Sequence, residues 1–406
     1  MKHLFIALST KGFGETTLGL RVARELHAAG DECIFLVHSS SASLLQRTPF
    51  EYMKSSDHTI GLLKLMLMTL FAQQEPDSII LSDCFTTALA FDRASLEPSV
   101  LKEEGIPVGA IDTWDMEKSG TVIDAFGGEQ RTFPDWSDTL DYRLTPVPIA
   151  NPDPTGQYYC NLPEPAQITH KVRRHVRRSV GIPSEAKTIL FCTAEWQHAT
   201  FRSEHGNRLA RLLPHLIGHY IQRLGGHVHL VHVGPAAYPL DLGAQYHWLP
   251  PLPPDKFEMI LASSDLLLVA NISSTTIAKA LVTGIPSATL VNSYALGTDD
   301  DLPRGQGEAV TKELLDWANE AAPLYPFTMW PLGYYEFLKP LLDGNPYCQV
   351  VPMLEILDEA GTLDVLDPLL HSRGTRARII DRQLAYVSEL RRLPSAGELV
   401  SRALSP

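Results

Sequence analysis

The stretch "SSDLLLVANISSTTIAKALVTGIPSATLVNS", residues 263–293, decides how this chain is read. An apolar strand led by Asp265 runs into a turn of small polar residues, then a helix, then Gly-Ile-Pro and a second strand. Small hydroxyl residues at a helix start let backbone N–H groups approach an anion closely. The N-terminal end of the helix dipole favours negative charge there as well. Ser273, Ser274, Thr275 and Thr276 are therefore candidates to hold a diphosphate. Plain N-capping by serine or threonine accounts for the same letters equally well.

The chain opens with a similar unit, "ALSTKGFGETTLGLRVARELHAAGDECIFLV", residues 7–37. Leu18, Val22 and Leu26 recur at helical spacing, and Gly30 closes the helix before the next strand. A dinucleotide fingerprint would need a third glycine where Thr17 stands, and an acid where the second strand ends in His38 and Ser39. No G-x-x-x-x-G-K-[ST] string occurs either. Both absences argue against nicotinamide chemistry and NTP hydrolysis. Glu15 is the carboxylate of this turn, and a first-turn glutamate that favours the helix dipole is its bland alternative.

Working outward, strand and helix patterns alternate along the first half, through "SIILSDCF" and "IPVGAIDTWD". Asp83 and Asp112 stand at the carboxyl ends of these strands, where open α/β sheets bind ligands and where acids also cap the next helix. A proline-rich segment, residues 142–156, has the composition of an interdomain connection. The basic run "HKVRRHVRRSVGIP" that follows reads as a phosphate contact or, more commonly, a solvated face. A second alternation begins at "KTILFCTAEW" and includes "HVHLVHVG", "YHWLP" and the opening stretch. The expected division is a first domain at 1–150, a linker at 151–165, a second domain at 166–375 and a helical tail at 376–406.

The formal net charge of -13 argues against a nucleic-acid partner bound through a broad basic surface. The five cysteines are scattered and odd in number, which fits buried reduced thiols in a cytoplasmic protein rather than a disulfide framework or a zinc site. No signal peptide is read at the N-terminus. The greasy window "TIGLLKLMLMTLFA", residues 59–72, is too short to span a bilayer and reads as a buried helix, with a membrane-surface helix as the alternative. The acidic run at 299–301 reads as a solvated loop, so no metal site is expected. His227 and His229 face one way along their strand and His232 the other, as expected of scaffold.

The order of these features resembles the GT-B glycosyltransferases of the UDP-glycosyltransferase type. Their donor half carries, roughly, H-G-G-x-G-T-x-x-E-A-L-x-x-G-V-P after an aspartate-led strand. Asn271, Ile272 and the four hydroxyl residues occupy that loop here, and Ala280-Leu281 and Gly284-Ile285-Pro286 match the rest. "HWLPPLP" resembles the W-x-P-Q segment that flanks the nucleobase, and "ELHAAGDECIFL" stands where A-x-x-L-x-x-x-G-H-x-V usually runs. Asn271 replaces the usual histidine, and Lys279 stands where a ribose-binding glutamate is typical.

The resemblance implies an α/β fold of two Rossmann-like parallel-sheet domains facing an interdomain cleft, with a C-terminal helix. It implies an inverting, metal-independent transfer from a nucleotide sugar such as a UDP-sugar, a co-substrate rather than a cofactor, to a small-molecule acceptor. Membrane association is not expected, and the oligomeric state is open. The donor site would include Thr193, Trp248, Leu249, Asn271, Ser273, Ser274, Thr275, Thr276 and Lys279. The acceptor site would include Gly12, Phe13, Gly14 and Trp114. Glu15 is the expected general base, with Asp83 and Asp112 as further catalytic candidates. Trp330, Tyr334 and Tyr335 line the sugar or acceptor pocket or else form a hydrophobic cap. More narrowly, the length and the aromatic segment 325–347 resemble the group related to cytosylglucuronic acid synthase, which implies transfer of glucuronic acid to cytosine in nucleoside-antibiotic biosynthesis. A nucleotide-sugar epimerase or hydrolase of the same fold, or a non-catalytic homologue that binds a nucleotide sugar or a partner, is the alternative.

Overall fold

A computed structural model describes residues 1–405 apart from 11–12, 127–128, 134–135, 137, 154–155, 167, 202 and 297–309. Gly12 and the acidic run at 299–301 therefore lie outside the described residues. The chain forms two compact units, each discontinuous in sequence. One comprises Met1–Val122, Thr132–Asn161 and Leu390–Pro406; the other comprises Ile123–Arg131 and Leu162–Glu389.

The first unit is built on β1 (Lys2–Ala7), β2 (Glu32–His38), β3 (Glu51–Ser55), β4 (Ser78–Leu81) and β5 (Val108–Ile111). After the short pair β6 (Val122–Ala125) and β7 (Glu129–Thr132) come β8 (Tyr142–Val147) and β9 (Tyr158–Cys160). Among the described residues the main sheet runs β3-β2-β1-β4-β5-β8-β9, and its pairs are parallel. The continuous apolar runs follow from this, since helices cover a parallel sheet on both faces. In β1, Leu4, Phe5 and Ile6 are fully buried, and Phe5 stacks on Phe35 of β2 at 4.9 Å between ring centroids. At Gly109 in β5 a Cβ would meet the Tyr142 ring of β8 at 2.1 Å, so this close approach requires glycine.

The second unit contains β10 (Lys187–Cys192), β11 (Val228–Val233), β12 (Tyr246–Leu249), β13 (Leu266–Val269), β14 (Ser287–Val291) and β15 (Met353–Glu355). Its parallel sheet runs β12-β11-β10-β13-β14-β15. The long helix Glu204–Arg223 buries Leu209, Leu213, Leu216, Ile217 and Tyr220 in the same core as Ile189, Phe191 and Leu268 of the sheet. In both sheets the strand order reverses beside the first strand: between β1 and β4, and between β10 and β13. Open α/β sheets bind ligands at the carboxyl ends of strands flanking such a reversal.

Three local features differ from the sequence reading. The proline-rich segment taken as a connection contains β8, an internal strand of the first sheet. Pro146 is tolerated there opposite Tyr159, and the Thr145 N–H beside it donates to the Gln157 carbonyl at 2.9 Å. The excursion Ile123–Arg131 belongs to the second unit, where the Asp124 carboxylate accepts from the Tyr335 and Phe337 N–H groups at 2.9 Å each. That carboxylate serves the start of helix Tyr335–Leu342. The end of the tail returns to the first unit. Ser395 and Glu398 form a capping box on helix Ala396–Ala403, which buries Leu399 and Val400 in the core that holds Leu18 and Val22 of helix Gly14–Ala28.

The greasy window becomes helix Leu63–Gln74 and the turn before it. Leu63, Leu67, Leu70 and Phe71 are buried while Leu65 is 63% exposed, so the helix is buried on one side rather than all round. Among the described residues no helix is long and apolar enough to cross a membrane.

Candidate active site

Helix Gly14–Ala28 is the first helix after β1, and Glu15 lies in its first turn. Glu15 is half-buried, and its Oε2 is buried without a hydrogen-bond partner among the described residues. Phe13 beside it is 52% exposed, and at Gly14 a Cβ would meet open space. The backbone at Gly14 is thus accessible.

Asp83 follows β4 across the reversal. Its Oδ1 accepts from the Thr86 N–H at 2.5 Å as N-cap of helix Cys84–Arg93, and its Oδ2 accepts from Thr113 Oγ1 at 3.3 Å. Burial, followed by the negative charge of Glu15, pushes the Asp83 carboxyl well above the usual carboxylate range. Asp112, after β5, is also buried; its Oδ2 accepts from the Met116 N–H at 2.9 Å and lies 3.6 Å from Arg143 Nη1. Burial raises its carboxyl to about 6 against the opposing pull of that N–H and Arg143. Trp114 is half-buried and its carbonyl accepts from Ser119 Oγ.

In the second unit the loop after β13 is ordered by Asn271. Its Oδ1 accepts from the Ser273 N–H at 3.0 Å and from Ser273 Oγ at 2.8 Å. Ser274 is the N-cap of helix Thr275–Thr283, with its Oγ accepting from the Thr276 N–H at 3.3 Å. Thr275 and Thr276 thus form the first turn of that helix. Capping and anion binding are compatible, since a cap satisfies only one of the free N–H groups of a first turn. Lys279 is committed elsewhere: its Nζ pairs with Glu258 at 2.9 Å and lies 5.6 Å from the Phe257 ring centroid. Trp248 at the end of β12 is 39% exposed, and its indole N–H donates to the Gly234 carbonyl at 3.0 Å. Leu249 follows it, half-buried.

Residues 22–406 match the family described as "Family of unknown function (DUF6365)". The chain belongs to DUF6365. Among curated proteins none matches its sequence significantly. Solved structures do resemble this DUF6365 chain over its whole length. The glycotransferase of kitacinnamycin aligns at TM-score 0.56 and 15% identity, covering 100% of this chain and 99% of that one. UGT2 of Phytolacca americana, complexed with UDP-2fluoro-glucose and pterostilbene, aligns at TM-score 0.56 and 14% identity with the same coverage. The spinosyn rhamnosyltransferase SpnG, complexed with thymidine diphosphate, aligns at TM-score 0.53 and 12% identity, with 100% of both chains covered. These likenesses establish the GT-B fold that the sequence resemblance implied.

Within the DUF6365 chain the candidates fall into two groups, one at the reversal of each sheet. Glu15 and Asp83 meet at the first, with Asp112 and Trp114 one strand further along. Thr193 and Asn271–Thr276 follow β10 and β13 at the second, with Trp248 and Leu249 at the edge strand. The basic run is held structurally: Arg173 and Arg177 bind Asp265 at 2.7 and 2.6 Å, while Lys171, Arg174 and Arg178 are exposed. Trp330 is fully buried, with its indole N–H on the Leu209 carbonyl, and Tyr334 is buried too, so both pack the core rather than line a pocket. Among the described residues no three His, Cys, Asp or Glu side chains gather as a metal site would.

Sequence reasoning passed over one cluster. Thr193 Oγ1 lies 2.9 Å from His198 Nε2 and 2.8 Å from His232 Nε2, and His232 Nδ1 lies 2.8 Å from the Tyr246 hydroxyl. Tyr238 stacks on both rings, at 4.5 Å from His232 and 5.0 Å from His198. Burial, and secondarily His198, lowers His232 to about 3, so it is neutral. The alternation of "HVHLVH" correctly set His232 apart from His229, which pairs with His247 at 2.8 Å. It carried no sign of His198, in the short helix Glu195–His198, or of the link to Thr193, which follows β10 and was expected only in the donor site.

Proposed function

We propose that this chain is an inverting nucleotide-sugar-dependent glycosyltransferase with a small-molecule acceptor. One observation carries the reading: in a GT-B fold, both sheets present polar residues at the carboxyl ends of the strands that flank their order reversal. In the first unit Glu15 Oε2 and Asp112 Oδ1 are both buried without a partner among the described residues, but Asp112 commits its other oxygen to the Met116 N–H and Arg143, and Asp83 is spent on the Thr86 N–H and Thr113. Glu15 therefore takes the acceptor proton as the acceptor attacks the anomeric carbon. In the second unit the Thr275 N–H and the hydroxyls of Ser274, Thr275 and Thr276 receive the diphosphate, whose charge grows as the glycosidic bond to it breaks; the Ile272, Ser273, Ser274 and Thr276 N–H groups are engaged within the protein. The exposed Trp248 ring offers a face for the nucleobase. The neighbours named above include structures holding UDP-2fluoro-glucose and thymidine diphosphate, which supports a nucleotide-sugar donor.

The finer reading, glucuronate transferred from UDP-glucuronate to cytosine, needs a cation for the uronate carboxylate. Lys279 is already neutralised by Glu258, so a different group would have to supply it. The experiment is release of nucleoside diphosphate from a panel of UDP- and dTDP-sugars, with and without small acceptors, UDP-glucuronate and cytosine among them. Acceptor-dependent release that falls by about 100-fold or more in Glu15→Gln supports the reading. Release independent of any acceptor would mean hydrolysis, and an unchanged rate in Glu15→Gln would remove the base assignment.

A further inference from the structure

The histidine cluster of the second unit has a direction that proton counting reveals. The Tyr238 backbone N–H donates to the Tyr246 hydroxyl oxygen at 2.8 Å. The remaining described partner of that hydroxyl is His232 Nδ1, so its own proton goes to that nitrogen. A neutral His232 then carries its proton on Nε2 and donates to Thr193 Oγ1. Thr193 has one hydroxyl proton, which passes on to His198 Nε2. The Tyr238 hydroxyl approaches the same nitrogen at 3.3 Å. Two donors thus converge on Nε2, which must be bare, and a neutral His198 is left with its proton on Nδ1. Running the chain the other way would leave the Tyr246 hydroxyl proton without an acceptor among the described residues.

The cluster is a built feature. His232 is fully buried, and a Cβ at Gly234 would meet Thr193 Oγ1 at 2.1 Å and His232 Nε2 at 2.7 Å. It also sits beside the loop assigned to the diphosphate. Phe191 of β10 pairs with Leu268 of β13, so Thr193 and Ala270 leave the sheet at the same level. Gln197, next to His198, donates to the Trp330 carbonyl at 3.0 Å, and the Trp330 N–H donates to the Ala270 carbonyl at 2.8 Å. His198 itself is half-buried, and its Nδ1 has no hydrogen-bond partner among the described residues.

We propose that the Tyr246–His232–Thr193 chain fixes His198 as the Nδ1–H tautomer, and that this N–H donates a hydrogen bond to the diphosphate of a bound nucleotide. The inference rests on the nucleotide-sugar reading above. It also changes the part played by Thr193, whose hydroxyl is occupied within the chain and sets the orientation of His198 instead of meeting the ligand.

Two measurements test it. In nitrogen-15 histidine spectra of the ligand-free protein, His198 should show a protonated Nδ1 and a bare Nε2. Thr193→Val, which keeps the shape and cuts the chain, should turn that pattern into a tautomer mixture. A protonated Nε2 in the intact protein overturns the proposal. UDP, dTDP, GDP and ADP are then titrated calorimetrically. An asparagine amide takes the place of Nδ1–H and a glutamine amide that of Nε2. His198→Asn should therefore bind within about threefold of the parent, while His198→Gln should lose about tenfold or more. Equal affinities in the two variants overturn the proposal and leave the nucleotide-sugar reading intact. Failure of the parent protein to bind any of the four diphosphates overturns both.

Discussion

Replacing Asp265 by asparagine keeps the side chain's size and removes a charge that faces several arginines. The carboxylate accepts from Arg173 Nη2 at 2.7 Å, Arg177 Nη2 at 2.6 Å and the Thr188 N–H at 2.9 Å. Arg376 donates to the Asp265 carbonyl at 2.7 Å. Burial opposes ionisation of Asp265, yet Arg177, Arg173 and the Thr188 N–H outweigh it and hold the carboxyl below its usual range. Breaking a buried pair by removing one partner costs about 3–5 kcal/mol, because the other charge stays buried and uncompensated. Arg177 is that charge, but it keeps the Ser263 and Ala186 carbonyls at 2.8 and 3.0 Å. Arg173 is 28% exposed and can take up water in place of the carboxylate. The expected loss for Asp265→Asn is therefore at the lower end, about 3 kcal/mol. Urea unfolding reads it through the fluorescence of Trp196, Trp248, Trp317 and Trp330, which belong to the second unit. A depressed carboxyl contributes stability above its unfolded pKa and loses it only as pH falls through the folded value. The loss should thus be the same at pH 5 and pH 7. A loss under about 1 kcal/mol, in the range of exposed pairs, would refute the hub.

The first unit should show the opposite pH dependence at Asp112. Folding raises this carboxyl from 3.8 to about 6, so stability falls as pH rises across that interval, by about 3 kcal/mol at most. Asp112→Asn should remove the share of Asp112 and leave that of Asp83, whose carboxyl burial also raises, so the slope should shrink without vanishing; matching slopes for variant and parent in chemical unfolding between pH 4 and 7 would contradict the burial argument. Asp124→Ala strips the start of helix Tyr335–Leu342 of both its carboxylate bonds and should cost about 1–2 kcal/mol in the second unit. Faster hydrogen exchange at Tyr335 and Phe337 is the direct reading of that loss; unchanged exchange would mean that the carboxylate does not hold the helix start.

Much of the fold was legible because parallel strands buried on both faces are continuous apolar runs. "KHLFIALS", "KTILFC" and "SSDLLLVAN" each hold a strand of the observed sheets. What escaped notice depends on contacts between segments distant in sequence. Tyr142–Val147 hides as a strand because Pro146 and Pro148 signal a loop, although the ladder needs only the neighbouring N–H. The return of Ala396–Ala403 rests on burying Leu399 and Val400 against a helix near the other end of the chain, which no local pattern encodes. The same holds at the site. Strand-end positions pointed to Asp83 and Asp112, but only the fold shows them accepting the Thr86 and Met116 N–H groups as caps of the turns that follow. Asn271 drew attention as a departure from a motif, whereas its structural task is to bind Ser273 and shape the loop.

Calorimetric titration of Ser274→Asp beside the parent protein, with UDP, dTDP, GDP and ADP, tests the central claim most directly. Aspartate caps a helix as well as serine does, so the variant keeps the bond to the Thr276 N–H and the fold with it. It also sets a negative charge where the diphosphate is assigned. The account predicts one-to-one binding of at least one diphosphate by the parent and a loss of about tenfold or more in the variant. No binding by the parent, or equal binding by both, would contradict it.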